Sequence, residues 1–308
     1  MSNYLTIDVG GTNIKFAVMN ENAEICEKGE MPTPYEGLEK YLETLKSIYD
    51  KYSSYNIEAI AMSAPGKIDS STGYFYTSGN LKYVSGINLK DKLKEIIPVD
   101  FAIENDAKCA ALAELWKGSM QGVKNGTVIV LGTGVGGAII IDGKVYRGST
   151  FAAGEYSFIP TNWNSDKFDI QNMWAFKNGV KSMTNHYASL IGVNPKEIDG
   201  RKFFDAANHG DKNAQIALEK YCATLASGIF SLQLVLDVER VSIGGGISKQ
   251  PLLLETLKKI MQSYGGEFSS IIPSAIPEIV TCRFGNDANM IGALYHYLYE
   301  TKEGNKND

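Results

Sequence analysis

The sequence lacks the features that mark exported, membrane-bound or nucleic-acid-binding proteins. Its 308 residues hold only four cysteines (Cys26, Cys109, Cys222, Cys282), widely scattered and with no Cys-x-x-Cys pair. That argues against a disulfide framework and reads as reduced, mostly buried thiols. There is no block of Lys and Arg, and the net charge of -5 argues against a DNA or RNA surface. No apolar run approaches the roughly 20 residues that cross a bilayer. Met1-Ser2-Asn3-Tyr4 leads straight into a strand pattern, with neither a basic segment and apolar run nor a cleavage site, so a soluble cytoplasmic protein is expected. A Walker A loop, Gly-x-x-x-x-Gly-Lys-Ser/Thr, is also missing. The spacing Gly132-x-Gly134-x-x-Gly137 occurs, but a strand pattern follows it where a dinucleotide fingerprint needs a helix.

The length suggests two lobes, and hydrophobic residues, 44% of the chain, are enough to pack both. Residues 4–9 read as a strand, Gly10-Gly11-Thr12-Asn13 as a tight turn and 14–19 as the returning strand, with a third strand near 25–30. Leu38, Tyr41, Leu42, Leu45, Ile48 and Tyr49 recur at helical spacing and predict a core-facing helix. A buried strand over 57–63 ends in Ala64-Pro65-Gly66, and 67–86 reads as a long loop with at most a short hairpin. A helix over 89–96 and a strand lead to Ile103-Glu104-Asn105-Asp106-Ala107, where an apolar strand pattern becomes helical. Asp106 there is either a helix cap, as Asn105 is too, or an acid exposed at a strand's end, with the free N–H groups of the helix favouring its ionised form.

The second half repeats the grammar of the first. A strand over 127–131, the turn Gly132-Thr133-Gly134-Val135-Gly136-Gly137 and a strand over 138–141 form a second glycine-tipped hairpin, closed by Asp142-Gly143 and a strand over 144–146. Residues 162–181 are irregular and aromatic, including Trp163, Phe168, Trp174 and Phe176. Further on come a long helix over 213–236, a strand over 240–243 ending in Gly244-Gly245-Gly246, and an amphipathic helix over 252–264. A strand near 279–282, a closing helix to about Tyr299 and a charged, frayed tail over 301–308 finish the chain.

Bare glycine turns let several backbone N–H groups face one anion, so two of them suit a polyphosphate. Asp8 ends the strand beside Gly10-Gly11-Thr12, which sets a carboxylate next to the anion as a magnesium–nucleotide site requires. The Thr12 hydroxyl adds a hydrogen bond, and Asn13 or Lys15 is within reach of a terminal phosphate. Gly244-Gly245-Gly246 offers bare backbone to adenine or ribose, although a plain strand-to-helix turn explains it equally well. Glu155, by itself, is a loop acid.

Asp8-x-Gly10-Gly11-Thr12, Glu104-Asn105-Asp106-Ala107, Leu131-Gly132-Thr133-Gly134-Val135-Gly136-Gly137, Gly154-Glu155 and Ile243-Gly244-Gly245-Gly246-Ile247 together resemble, in order and over almost the whole chain, the motifs of the ROK family of sugar kinases and sugar-responsive repressors. The resemblance implies an α/β chain with the two-lobed actin-like (ribonuclease H-like) sugar kinase fold: a duplicated mixed sheet plus helices, ATP and sugar meeting in the cleft. The lobes are expected at 1–117 plus 288–308 and at 118–287. Asp106 is then the general base, with Gly66, Asn80, Asn105 and Glu155 around the sugar. Gly11, Thr12, Gly132, Thr133 and Gly134 contact phosphates, Asp8 serves the magnesium, and Gly245 and Gly246 lie near the adenosine. ATP and Mg2+ are the implied cofactors. Partners are small molecules, a sugar and ATP, without nucleic acid or membrane; a homodimer stays open.

Two departures from the family pattern narrow the substrate. Phe158 stands where most members have a histidine, and 162–181 holds no cysteine or histidine, so no structural zinc is expected. Loss of that histidine and of the glutamate closing the zinc motif leaves the C1 and C2 end of the sugar looser, lined by Trp163 or Trp174, which suits a substituent there. Zinc-free members resembling β-glucoside kinases fit this, with N-acetylmannosamine kinase or fructokinase as alternatives. A repressor is disfavoured, because Asp8 comes too early for a preceding helix-turn-helix domain.

Overall fold

The computed structural model describes residues 2–163, 167, 169–268, 270–271 and 276–302. The chain forms two compact units: Met1–Gln121 with Arg147–Ala153 and Asn286–Asp308, and Gly122–Tyr146 with Gly154–Gly285.

The first unit contains β1 (Asn3–Val9), β2 (Asn13–Asn20), β3 (Ile25–Pro32), α1 (Leu38–Lys51), β4 (Ile57–Ala64), β5 (Ile68–Asp69), β6 (Tyr74–Phe75), β7 (Ile87–Asn88), α2 (Leu89–Lys94), β8 (Asp100–Asn105) and α3 (Asp106–Lys117). Its main sheet has the order β3-β2-β1-β4-β8. β1 runs antiparallel to β2 and parallel to β4, which runs parallel to β8. The central strands β1 and β4 are buried on both faces, so they read as nearly continuous apolar runs. The edge strand β3 carries Glu27, Lys28 and Glu30, and these charges discourage a further strand from pairing there. α1 lays Tyr41, Leu45 and Ile48 onto the sheet core of Leu5, Ile7 and Phe16. The stretch read as a long loop contains β5 and β6, which with β7 form a small sheet of order β5-β6-β7.

The second unit contains β9 (Gly126–Leu131), β10 (Val135–Ile141), β11 (Lys144–Tyr146), α4 (Trp174–Asn178), α5 (Val180–Ile191), α6 (Gly200–Asn208), α7 (Lys212–Leu236), β12 (Arg240–Gly245), α8 (Pro251–Phe268) and β13 (Glu278–Thr281). The order β11-β10-β9-β12-β13 repeats that of the first sheet, with the same pattern of antiparallel and parallel pairs. The duplication reaches single hydrogen bonds. Buried Thr6 donates its hydroxyl to the Ala17 carbonyl at 3.1 Å, and buried Thr127 donates to the Ala138 carbonyl at 3.0 Å. The same alignment lays Gly11-Thr12 over Gly132-Thr133 but sets Ile129 opposite Asp8, so only the first hairpin carries a carboxylate.

Helices α5 and α6 were not foreseen from the sequence. α5 is rich in Ser, Thr, Asn and His, which are weak helix formers, and it is held by Met183, Tyr187 and Ala188 in the core and by Tyr187 edge-on against Phe203 of α6. The last helix, α9 (Ala288–Tyr295), belongs to the first unit and runs on into a π-helical turn, His296–Thr301. The charged tail from 303 onward, and Phe168 within the aromatic stretch, lie outside the described residues. Among the described residues no helix is long and apolar enough to cross a membrane.

Candidate active site

In the first unit the carboxyl ends of the parallel strands β1, β4 and β8 converge, since Asp8 pairs with Ser63 and Ser63 in turn with Glu104. Such strand ends are where open α/β sheets bind ligands. Asp8 is 8% exposed. Its Oδ1 accepts from the Ser63 hydroxyl at 3.1 Å and from the Asn289 amide at 3.0 Å, and neither donor engages Oδ2. Burial pushes the Asp8 carboxyl above the usual aspartate range, against the lowering pull of Asn289, Ser63 and Lys15. A buried carboxylate with raised proton affinity beside a glycine turn suits a divalent cation, which would supply the missing counter-charge.

The turn itself is braced from three sides. The Gly10 amide donates to the Asn13 carbonyl at 3.0 Å, the Thr33 hydroxyl donates to the Gly10 carbonyl at 2.7 Å, and the Tyr35 hydroxyl donates to the Gly11 carbonyl. Thr12 is held by its carbonyl, which accepts from the Thr33 amide at 2.9 Å. Asn80 lies against this turn, its Nδ2 3.7 Å from the position a Gly11 Cβ would take. Lys15 stands opposite Asp8 on β2.

Asn105 and Asp106 share the cap that the sequence left undecided. Asn105 is the N-cap of α3, its Oδ1 accepting from the amides of Ala107 and Lys108 at 3.0 and 3.1 Å. Its Nδ2 donates to the Gly66 carbonyl at 2.9 Å and to Asp106 Oδ1 at 3.0 Å, and the Ala107 amide donates to the same Oδ1 at 2.8 Å. One carboxylate oxygen of Asp106 is thereby fixed at the start of the helix, which holds the side chain in a single orientation. Gly66 has φ +111°, and a Cβ there would run into the backbone of Thr77 and Ser78, 2.7 Å from the Thr77 carbonyl carbon. Gly66→Ala should therefore destabilise the chain by about 1–3 kcal/mol and shift the Asn105 contact. Thermal unfolding checks this, and an unchanged Tm would refute it.

Behind this junction lies a buried ion network. Glu104 is fully buried, and its Oε1 accepts from the Asn105 amide at 2.6 Å while its Oε2 accepts from Arg147 Nε at 2.7 Å. Arg147 Nη2 also donates to Glu300 Oε2 at 2.5 Å, and the same oxygen lies 2.7 Å from His296 Nδ1. Burial opposes the charge on Arg147, yet the flanking carboxylates of Glu104 and Glu300 hold its pKa above the ordinary value. Burial raises the Glu300 carboxyl, but the His296 hydrogen bond and Arg147 outweigh it and keep the group below the usual glutamate range.

In the second unit the two glycine sequences come together because β12 pairs with β9, Gly245 opposite Leu131. Gly245 has φ +94°, and a Cβ there would strike the Leu131 backbone. Its carbonyl accepts from the Ser248 amide at 3.1 Å and hydroxyl at 2.9 Å. Gly246 faces open space. In the preceding turn the Gly132 amide donates to the Gly134 carbonyl at 3.1 Å, and the Gly132 carbonyl accepts from the Val180 amide at the start of α5 at 2.9 Å. Thr133 is exposed, and a Cβ on Gly134 would come within 2.9 Å of the Ser157 hydroxyl. Glu155 is half-buried at the head of a short 3-10 turn, Tyr156–Phe158.

One expected lining residue is elsewhere. Trp174 is 1% exposed, packs on Tyr156 with centroids 5.9 Å apart and donates its indole N–H to Asn178 at 2.8 Å. It is a core residue of the second unit, because a large ring whose N–H finds a buried partner is better placed inside. Trp163 is 85% exposed and Phe158 65%. Among the described residues no group of three or more His, Cys, Asp or Glu side chains is placed to hold a metal ion. Ser63, Asn289, Arg147 and Glu300 went unnoticed in the sequence reading. Nothing in the residues around them sets them apart, because the groups they meet lie far away in the chain.

Residues 4–299 match the ROK family. A β-glucoside kinase of Listeria monocytogenes is 29% identical over 297 residues, covering 95% of this chain and 96% of its own. A glucokinase of Halalkalibacterium halodurans is 32% identical over 311 residues, covering 94% and 93%. A crystal structure of a ROK family protein from Streptococcus pneumoniae, in complex with sucrose, superposes with a TM-score of 0.86 at 31% identity, covering 98% of this chain and 99% of that one. The match over nearly the full length, on a duplicated mixed sheet whose strand ends carry Asp8, Asn105 and Asp106, places this chain in the ROK family.

Proposed function

We propose that the chain transfers the γ-phosphoryl group of ATP to a hydroxyl of a hexose unit, O6 of glucose or of a β-glucoside, and that its two compact units are the two lobes of such a kinase. The observation that carries this reading is the convergence in one unit of Asp8, the Gly10-Gly11 turn with Asn80, and the Asn105-Asp106 cap. Relatives named β-glucoside kinase and glucokinase, and a solved relative holding sucrose, support a glucose-containing substrate.

Phosphoryl transfer asks mainly for positioning and charge neutralisation. Asn80, Asn105, the Gly66 backbone and Glu155 hold the sugar hydroxyls. Asp106 aligns the attacking hydroxyl and takes its proton. The backbone of Gly10, Gly11 and Thr12, with Asn13 and Lys15 nearby, and that of Gly132, Thr133 and Gly134 face the phosphates, while Gly245 and Gly246 flank the adenosine. Mg2+ bound with the nucleotide supplies positive charge to the transferring group, and Asp8 is the residue that would hold it. ADP release measured with glucose, cellobiose, fructose, mannose and N-acetylmannosamine tests the reading, with glucose or cellobiose expected to rank first. No ADP with any sugar would sink it.

The buried charge of Asp8 gives a second test. Asp8→Asn keeps an oxygen for Ser63 and Asn289 but removes the carboxylate. Since folding raises the Asp8 pKa, its ionised form weighs against the folded state at neutral pH and no longer does so below the pKa of the unfolded chain. Without magnesium the variant should melt higher than the wild type at pH 7, with the gain shrinking toward about pH 4, while turnover falls about 10- to 100-fold. A lower Tm at pH 7 would contradict the account of Asp8.

A further inference from the structure

Tyr76 and Phe151, each joined through its backbone to a residue close in sequence to Gly66 or Asp106, take no part in the chemistry above. Tyr76 is 47% exposed, so it is not a core residue. Its amide donates to the Lys67 carbonyl at 2.9 Å, which ties it to the residue after Gly66, the partner of Asn105. Tyr74 meets its ring edge-on with centroids 5.1 Å apart, and Lys67 Nζ lies 4.6 Å from its centroid, so the ring is braced in place. Phe151 comes from the segment Arg147–Ala153 that joins the first unit. Its carbonyl accepts from Lys108 Nζ at 3.3 Å, and Lys108, 1% exposed, is two residues beyond Asp106. The two rings are near parallel, 27° between planes and 6.5 Å between centroids.

Phe151 is also strained. Its φ of +61° lies in the left-handed region, where glycine is at ease and a bulky side chain is a true outlier. A phenyl ring held there at a cost to stability, beside a braced and exposed tyrosine, points to work for the ring itself.

On the sugar-kinase reading above, we propose that Tyr76 and Phe151 form a platform for the second ring of a glycoside. The substrates are then glycosides carrying a second sugar or aryl ring, in preference to free hexose. The ring C–H faces of such a substituent pack on flat aromatic carbon, and the Tyr76 hydroxyl can meet its polar rim. A free hexose has no atoms to place there, so the platform adds nothing to its binding.

The test compares kcat/KM for cellobiose and phenyl β-glucoside with that for glucose, in the wild type and in Tyr76→Leu and Phe151→Gly. Calorimetric titration of the same sugars runs alongside without nucleotide. The glycosides should lose about 10-fold or more in both variants while glucose stays within about 3-fold, and Phe151→Gly should melt no lower than the wild type. Equal losses for glucose and glycosides, or no loss for either, would overturn the platform. If the wild type phosphorylates no sugar, the kinase reading falls, and calorimetry still decides the platform: glycosides binding the wild type no tighter than glucose would end it.

Discussion

Asp106→Asn lowers kcat about 10²- to 10⁴-fold, the contribution of a positioned general base, while calorimetric sugar affinity stays close to that of the wild type. The geometry makes this substitution clean. Asp106 Oδ1 accepts from the Ala107 amide and from Asn105 Nδ2, and an asparagine oxygen can accept both. The cap of α3 also rests on Asn105, whose Oδ1 takes the Ala107 and Lys108 amides. What the variant loses is the ability to take a proton. Alanine at the same position would remove the acceptor too, and its losses would mix chemistry with a disturbed cap. Near-normal turnover of Asp106→Asn would mean that the hydroxyl is activated elsewhere.

The largest effect on stability is expected at Arg147. Arg147→Met leaves the fully buried Glu104 carboxylate facing an apolar side chain. Removing one partner of a buried ion pair costs about 3–5 kcal/mol, which corresponds to a fall of roughly 10 °C in Tm. Glu104→Gln should cost less, because Arg147 keeps Glu300 at 2.5 Å and is 22% exposed. The pH dependence separates the two further. Folding lowers the Glu300 pKa, so its contribution is present above the unfolded value and is lost as pH falls through the folded one. Arg147 is one of the causes of that lowering, so Arg147→Met should show a shallower acid-side loss of stability than Glu104→Gln. Calorimetry at neutral pH and near pH 4 measures both, and equal Tm values for the two variants would refute this account.

The sequence carried the local half of this molecule and little of the rest. Strand period and glycine turns were enough to find both hairpins and the strand-to-helix junction at Asp106, since each is encoded by residues a few positions apart. Leu45 and Ile48 of α1 were equally plain, as helical spacing shows without a partner. The donors that hold Asp8 were not legible: Asn289 is 281 positions away in the chain. The same holds for Glu104, whose counter-ion comes from a segment after the second hairpin. α5 escaped because packing, not propensity, makes it a helix. Trp174 was misplaced for a related reason. Aromatic content flagged its stretch, but only the fold shows that its indole N–H is matched to Asn178 inside the core.

The first unit closes on itself with pieces taken from three places in the chain. During synthesis the strands of its main sheet are all present once β8 has been made, and the hairpins, being local, pair early. Asn289 and Glu300 arrive only with α9 and the turn after it, when the whole of the second unit already exists. The Asn289 bond to Asp8 and the Arg147 bond to Glu300 thus form only after the second unit has been made, so the enzyme completes its acidic centre late in synthesis and not at the start.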